Sequence, residues 1–142
     1  MKKGLLMLLI AVLAVASSCS KDAKINKRLD GEWKVVTIGG VAPAEGKYTF
    51  HFTKEYKSTG YGKISFAWDN YLVSDAFTYS VLDQKITLMV YGSVLSDELA
   101  LPGPGPFILD PVEIWSVTKY EKDRMEMVDS DGDVWVLVWQ RG

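Results

Sequence analysis

From Trp33 onward the chain alternates, and that period of two limits the fold more than any other feature. In Lys47–Lys54, Tyr48, Phe50 and Phe52 fall on one face while Thr49, His51 and Thr53 fall on the other. In 85–91, Ile86, Leu88 and Val90 alternate with Lys85, Thr87 and Met89. In 133–140, Val134, Val136 and Val138 oppose Trp135, Leu137 and Trp139. A side chain that changes face at every residue is the mark of a strand. The same reading predicts strands at 32–38, 62–68, 71–82, 112–120 and 124–128, eight in all. Between them lie turn sequences: Gly39-Gly40, Asp69-Asn70, Asp83-Gln84, Glu121-Lys122-Asp123 and the Asp129–Asp133 run with its Asp-Gly pair. No stretch keeps a helical period for a useful length, apart from a possible short helical turn across Asp22–Asp30. The expected fold is all-β, an eight-stranded antiparallel up-and-down meander closed into a barrel.

Composition agrees with one packed domain. Of the 142 residues 48% are hydrophobic and 24% charged, which excludes disorder and a coiled coil. Five Trp, seven Tyr and five Phe supply a core, and none precedes position 33. A net charge of −2 leaves no basic footprint for nucleic acid. A single Cys and a single His exclude a disulfide framework and a Cys/His zinc centre, and no cofactor is implied. The irregular part is 93–111, where Pro102, Pro104 and Pro106 cannot sit in a central strand and predict a surface loop or an edge.

The first 19 residues form a separate unit. Lys2 and Lys3 precede an apolar run from Leu5 to Ala16, then Ala16, Ser17, Ser18 and Cys19. The run is too short for a membrane-spanning helix, which needs about 20 apolar residues, and it has the layout of a signal peptide. The small residues before Cys19 resemble a bacterial lipobox, with Ala16 where that box usually has Leu. The resemblance implies removal of 1–18 and acylation of Cys19, so the membrane would be a partner through a lipid anchor. Residues 19–28 are then expected to be a polar tether. Ser20-Lys21-Asp22 resembles the export signals of surface lipoproteins in some Gram-negative bacteria, and no Asp directly follows Cys19. The expected address is the outer membrane, facing either periplasm or medium.

Leu29-Asp30-Gly31-Glu32-Trp33, followed by a strand, resembles the opening of lipocalin-like (calycin-type) domains. The resemblance implies a barrel over 29–142 in which Gly31 permits tight entry and Trp33 closes the base. It also implies that Arg141, from the last strand, packs on that indole. A small apolar or amphipathic ligand in the open end is the function it suggests. The alternative is a filled barrel that meets a protein or a glycan at the cell envelope.

Enzymatic chemistry finds little footing. His51 lies on the polar face of its strand, with no Ser or Cys elbow to serve. Asp129, Asp131, Asp133 and Gly132 resemble a calcium-loop fragment, but counting from Asp129 places Gly132 fourth where an EF-hand loop needs its glycine sixth, and Gln140 at the twelfth position in place of a Glu. A solvated hairpin turn is the expected reading there, and loop solvation the expected reading of Asp97-Glu98. Tyr56, Tyr61, Trp68 and Tyr71, near strand ends, are the candidates for an aromatic ligand rim. Both faces of the last strand are apolar, which predicts that the second face is covered by the proline-rich loop and the tether, or else meets a ligand, a partner or lipid.

Overall fold

The structure is a computed structural model, and it describes residues 21–44, 46–96, 102–105 and 107–140. Among these lie one helix, α1 (21–29), and nine strands. The strands are β1 (Gly31–Ile38), β2 (Lys47–Lys54), β3 (Thr59–Trp68), β4 (Tyr71–Leu82), β5 (Lys85–Ser96), β6 (Pro102–Pro104), β7 (Val112–Tyr120), β8 (Arg124–Val128) and β9 (Val134–Trp139). All pairings are antiparallel. The ring runs β1-β2-β3-β4-β5-β7-β8-β9 and closes back on β1, with Trp33 opposite Trp139. It is the expected eight-stranded meander, closed into a barrel.

The differences from expectation have local causes. β3 begins at Thr59 rather than 62, because Gly60 and Gly62 occupy inward positions without an apolar side chain to announce them. β5 runs on to Ser96, beyond the expected end at 91. Its first residues, Lys85 to Met89, pair with β7, while Val94 to Ser96 pair with Pro102 to Pro104. The prolines therefore sit on an edge, where a missing N–H costs no ladder bond.

The tether expected over 19–28 is corrected from Lys21 onward: 21–29 is helical and docked into one end of the barrel. Asp22, Ile25, Asn26 and Leu29 are buried, spaced i, i+3, i+4, i+7 on one helix face. Burying Ile25 and Leu29 stabilises the docked helix by roughly 1.5–3 kcal/mol each. The polar pair sews the helix to two hairpins. Asp22 Oδ2 and Oδ1 accept the Asp83 and Gln84 N–H groups (2.8 and 2.9 Å). Asn26 Nδ2 donates to the Tyr56 and Thr59 carbonyls (2.8 and 3.1 Å), and Asn26 Oδ1 accepts from Tyr79 (2.6 Å).

Trp33 is buried directly above this plug. Its Nε1 donates to the Leu29 carbonyl (2.8 Å) and its ring meets Trp139 edge-on at 5.4 Å. Gly31 enters the barrel at φ +129°, and a Cβ there would lie 2.0 Å from the Trp139 ring, so only glycine fits. Cys19, the leader and Arg141 lie outside the described residues.

The barrel is filled with aromatic side chains. Phe50 stacks on Phe52 (5.2 Å) and meets Trp115 and Trp135 edge-on at 5.7 and 6.0 Å. Ile64, Phe77, Leu88, Met125, Met127 and Leu137 pack around them, all buried. The second apolar face of β9 is the outward valine face, and of the two expectations for it, cover by loop and tether is not seen among the described residues. Val134 and Val138 remain 38% and 37% exposed, because the 21–29 segment plugs the barrel end instead of crossing its wall.

Candidate functional site

The meander puts the 54–59, 82–85 and 120–124 connections at the helix-capped end, together with the end of β9. The 39–46, 68–71, 96–112 and 128–134 connections surround the opposite end, the mouth. Inward positions close to the mouth are therefore Tyr48 on β2, Phe66 and Trp68 on β3, and Tyr71 on β4.

These four rings form a ladder. Tyr48 packs on Phe66 at 4.4 Å, Phe66 stacks on Trp68 at 5.2 Å, and Trp68 stacks on Tyr71 at 5.6 Å. At its inner end Tyr48 meets buried Trp135 edge-on at 5.6 Å, while Tyr71 at its outer end is exposed. The ladder thus runs from the core to solvent. A Cβ on Gly46 would lie 2.4 Å from the Ala67 carbonyl oxygen and 2.5 Å from the Phe66 ring, so Phe66 seats where it does because residue 46 is a glycine. Against the ladder the 39–44 turn leaves a groove of about 340 Å³ floored by Tyr48 and Phe66 and walled by Ile38, Val41 and Pro43. Val41 is held there by a two-way backbone pairing with Ile38 (2.9 and 3.3 Å).

A strap covers the other side of the mouth. Asp75, fully buried on the inward face of β4, accepts the Ile108 and Leu109 N–H groups on Oδ2 (2.6 and 2.8 Å), and Leu109 inserts into the core. Asp75 Oδ1 is buried with no hydrogen-bond partner among the described residues. Glu113 Oε1 accepts the Asp110 N–H (3.4 Å) and its other oxygen accepts the Trp115 indole N–H. Around the rim, Asp69, Asp110, Asp129, Asp131 and Asp133 face Lys47 as the one basic residue of the described mouth connections and strand ends. The mouth is an acidic rim around an aromatic groove.

Of the four aromatics expected to share a rim, the structure brings together Trp68 and Tyr71 alone. Tyr56 lies in the β2–β3 hairpin at the opposite end. Tyr61 points outward on β3, beside a shallow depression of about 300 Å³ that also contains His51, Lys63 and Tyr91. Their separation follows from strand parity and direction, which nearness to a strand end does not encode. Tyr48, Phe66 and Asp75 were missed as site residues. Each had a readable mark: inward parity at a mouth-side strand end for the two rings, and a carboxylate between Val73 and Phe77 on an apolar face for Asp75.

His51 is exposed on the outer wall. Asp129 is engaged by its own turn, its Oδ1 accepting the Asp131 and Asp133 N–H groups (3.0 and 2.9 Å) and its Oδ2 the Trp135 indole N–H (2.8 Å). Among the described residues no group of three His, Cys, Asp or Glu could hold a metal ion; Asp97 and Glu98 lie outside them. Burial raises the pKa of the Tyr79 phenol far above its ordinary range, with the Asp30 charge adding to the effect. Compared with protein-family models, curated proteins and solved structures, the chain gives no match.

Proposed function

We propose that the chain is a lipid-anchored, lipocalin-like module of a bacterial outer membrane that binds a small neutral amphipathic ligand at the barrel mouth. The observation that carries this is the Tyr48–Phe66–Trp68–Tyr71 ladder beside its groove. Stacked rings ending at solvent offer a flat apolar face of the kind a sugar ring or a short acyl chain covers. The acidic rim repels anions and accepts hydroxyl donors, so a neutral ligand with hydroxyl groups suits it best. The barrel core is packed with Phe50, Phe77, Trp115 and Trp135, so the ligand lies across the mouth and not deep within. Support for the lipocalin-like reading comes from Gly31, which enters the barrel at positive φ, and from Trp33, which is buried at its base. Support for the anchor is the lipobox-like sequence at Cys19.

The test is a tryptophan-fluorescence titration with an alkyl glucoside held below its micelle concentration, a probe that carries both a ring and a chain. Saturable quenching that disappears in Trp68→Ala is expected. No saturable response, or one that Trp68→Ala leaves unchanged, would refute the site. Acylation is tested separately: Cys19→Ala should move the protein out of the membrane fraction, and unchanged fractionation removes the anchor. The exposed Val36, Val134 and Val138 on the outer wall favour a second reading, a protein partner docked on β1 and β9. Val138→Lys would abolish such an interaction without touching the mouth.

A further inference from the structure

We propose that the helix-capped end of the barrel is a docking face for anionic phospholipid headgroups. This goes beyond the anchor at Cys19, and it rests on the reading that Cys19 is acylated. The helix is described from residue 21, so at most one residue separates Cys19 from a docked element. A chain that short cannot hold the barrel away from the bilayer, and the end that carries α1 must lie against it.

The surface of that end suits such a contact. With Asp22, Ile25, Asn26 and Leu29 turned inward, α1 turns Lys21, Lys24 and Lys27 outward, with Arg28 half-buried at their side. Lys54 and Lys57 from the β2–β3 hairpin and Lys122 from the β7–β8 hairpin add to this charge. Asp30, Glu55, Asp83, Glu121 and Asp123 lie among them, so the face is mixed, with its basic excess concentrated on α1. The mouth at the other end is acidic, which gives the barrel a charge difference from end to end.

Two apolar side chains project from the same end. Tyr56 at the tip of one hairpin is 69% exposed and Leu82 at the edge of another is 74% exposed. Neither is needed by the core. Both hairpins are tied to α1, one through Asn26 and the other through Asp22, so their tips are held in fixed positions beside the point where the chain leaves for Cys19. A tyrosine and a leucine flanked by lysines match the layered chemistry of a headgroup region, with phosphates outside and acyl carbons just below. Each Lys or Arg near an anionic surface favours the docked form by about fivefold.

The test uses the full chain as the cell processes it, placed in vesicles of phosphatidylcholine alone or mixed with phosphatidylglycerol. Hydrogen exchange is read at the 54–59 and 82–85 hairpins, and at the 128–134 hairpin as the distal control. Slower exchange at the first two, confined to the anionic vesicles and lost at 1 M salt, where the screening length is about 3 Å, is expected. The variant Lys24→Gln/Lys27→Gln/Arg28→Gln should lower docking on the order of 100-fold, and Tyr56→Ser/Leu82→Ser should weaken it on the anionic vesicles at low salt. All five positions lie at the surface, and an unchanged unfolding midpoint checks that each variant is folded. Protein that stays with the vesicles but shows equal exchange in both compositions, or protection at 128–134 instead, overturns the docking face while leaving the anchor intact. Protein that does not stay with the vesicles overturns both.

Discussion

Replacing Asn26 by alanine tests whether 21–29 is part of the fold or a leash. Asn26 is fully buried and makes three hydrogen bonds. The losses are unequal. The Thr59 carbonyl also accepts the Glu55 and Tyr56 N–H groups, so it keeps partners and its term is small. The Tyr56 carbonyl lies on an exposed hairpin and water can replace the amide, leaving a net loss of about 1 kcal/mol. The Tyr79 hydroxyl is buried and would be orphaned, at roughly 1–3 kcal/mol. Together these predict destabilisation of about 2–4 kcal/mol in urea unfolding followed by tryptophan emission. A double-mutant cycle sharpens the test. Tyr79→Phe alone strands Asn26 Oδ1, but after Asn26→Ala it should cost little, so the pair should be less destabilising than the sum of the single changes. A loss under 1 kcal/mol for Asn26→Ala, or strict additivity with Tyr79→Phe, would refute the docked helix and restore the tether.

Tyr79 also predicts a pH dependence. Its folded pKa is raised above the unfolded value near 10. The neutral phenol therefore stabilises the fold below about pH 10, and that contribution is lost as pH rises further. Urea midpoints measured across the alkaline range should fall less steeply in Tyr79→Phe than in the parent. Gly31→Ala should destabilise by about 1–3 kcal/mol, since it combines a positive φ with a clash against Trp139, and an unchanged melting temperature would contradict the base geometry. Trp33→Ala should cost roughly 3–5 kcal/mol, and a loss under 1 kcal/mol would remove Trp33 as the closure of the base. Asp75→Ala should release the strap, accelerating amide exchange at Ile108 and Leu109 on the order of tenfold or more while exchange in β2 stays slow.

The strands were legible because their inward faces are apolar and their outward faces mostly polar, as in Lys47–Lys54. The helix was legible only as a possible short turn across 22–30, and its docking was not, for the complementary reason. Its buried face carries Asp22 and Asn26 beside Ile25 and Leu29, so half of the inward positions read as solvent-exposed. Those polar residues are inside because hairpin N–H and C=O groups at the barrel end need partners, and that need exists only once the barrel has formed. β3 hid its first turn behind Gly60 and Gly62. The candidate site was half legible. Trp68 and Tyr71 flank a two-residue turn, so their meeting is a local fact. Tyr48 joins them only through the β2–β3 register, which sets it opposite Phe66. Tyr56 and Tyr61 were grouped with them by residue type, and strand direction separates them.

The docked helix changes what an anchor at Cys19 would do. A flexible leash of ten residues would let the barrel tumble and present every face. With the helix docked from residue 21 an acylated Cys19 would set the orientation, and the ring ladder is carried on β2, β3 and β4, strands of eight to twelve residues. At about 3.3 Å per residue and the usual tilt of barrel strands, the groove of a protein anchored in this way would stand roughly 20–30 Å above the bilayer. An acidic rim at that height is beyond the screening length of headgroup charge at physiological salt, about 8 Å. The ligand would then arrive from the aqueous side, through a mouth that neither attracts nor touches the lipid. A lipid drawn directly from the same membrane would have to displace the buried Trp33, Ile25 and Leu29 at the plugged end. The geometry therefore favours capture of a soluble or partner-delivered molecule over extraction from the membrane beneath.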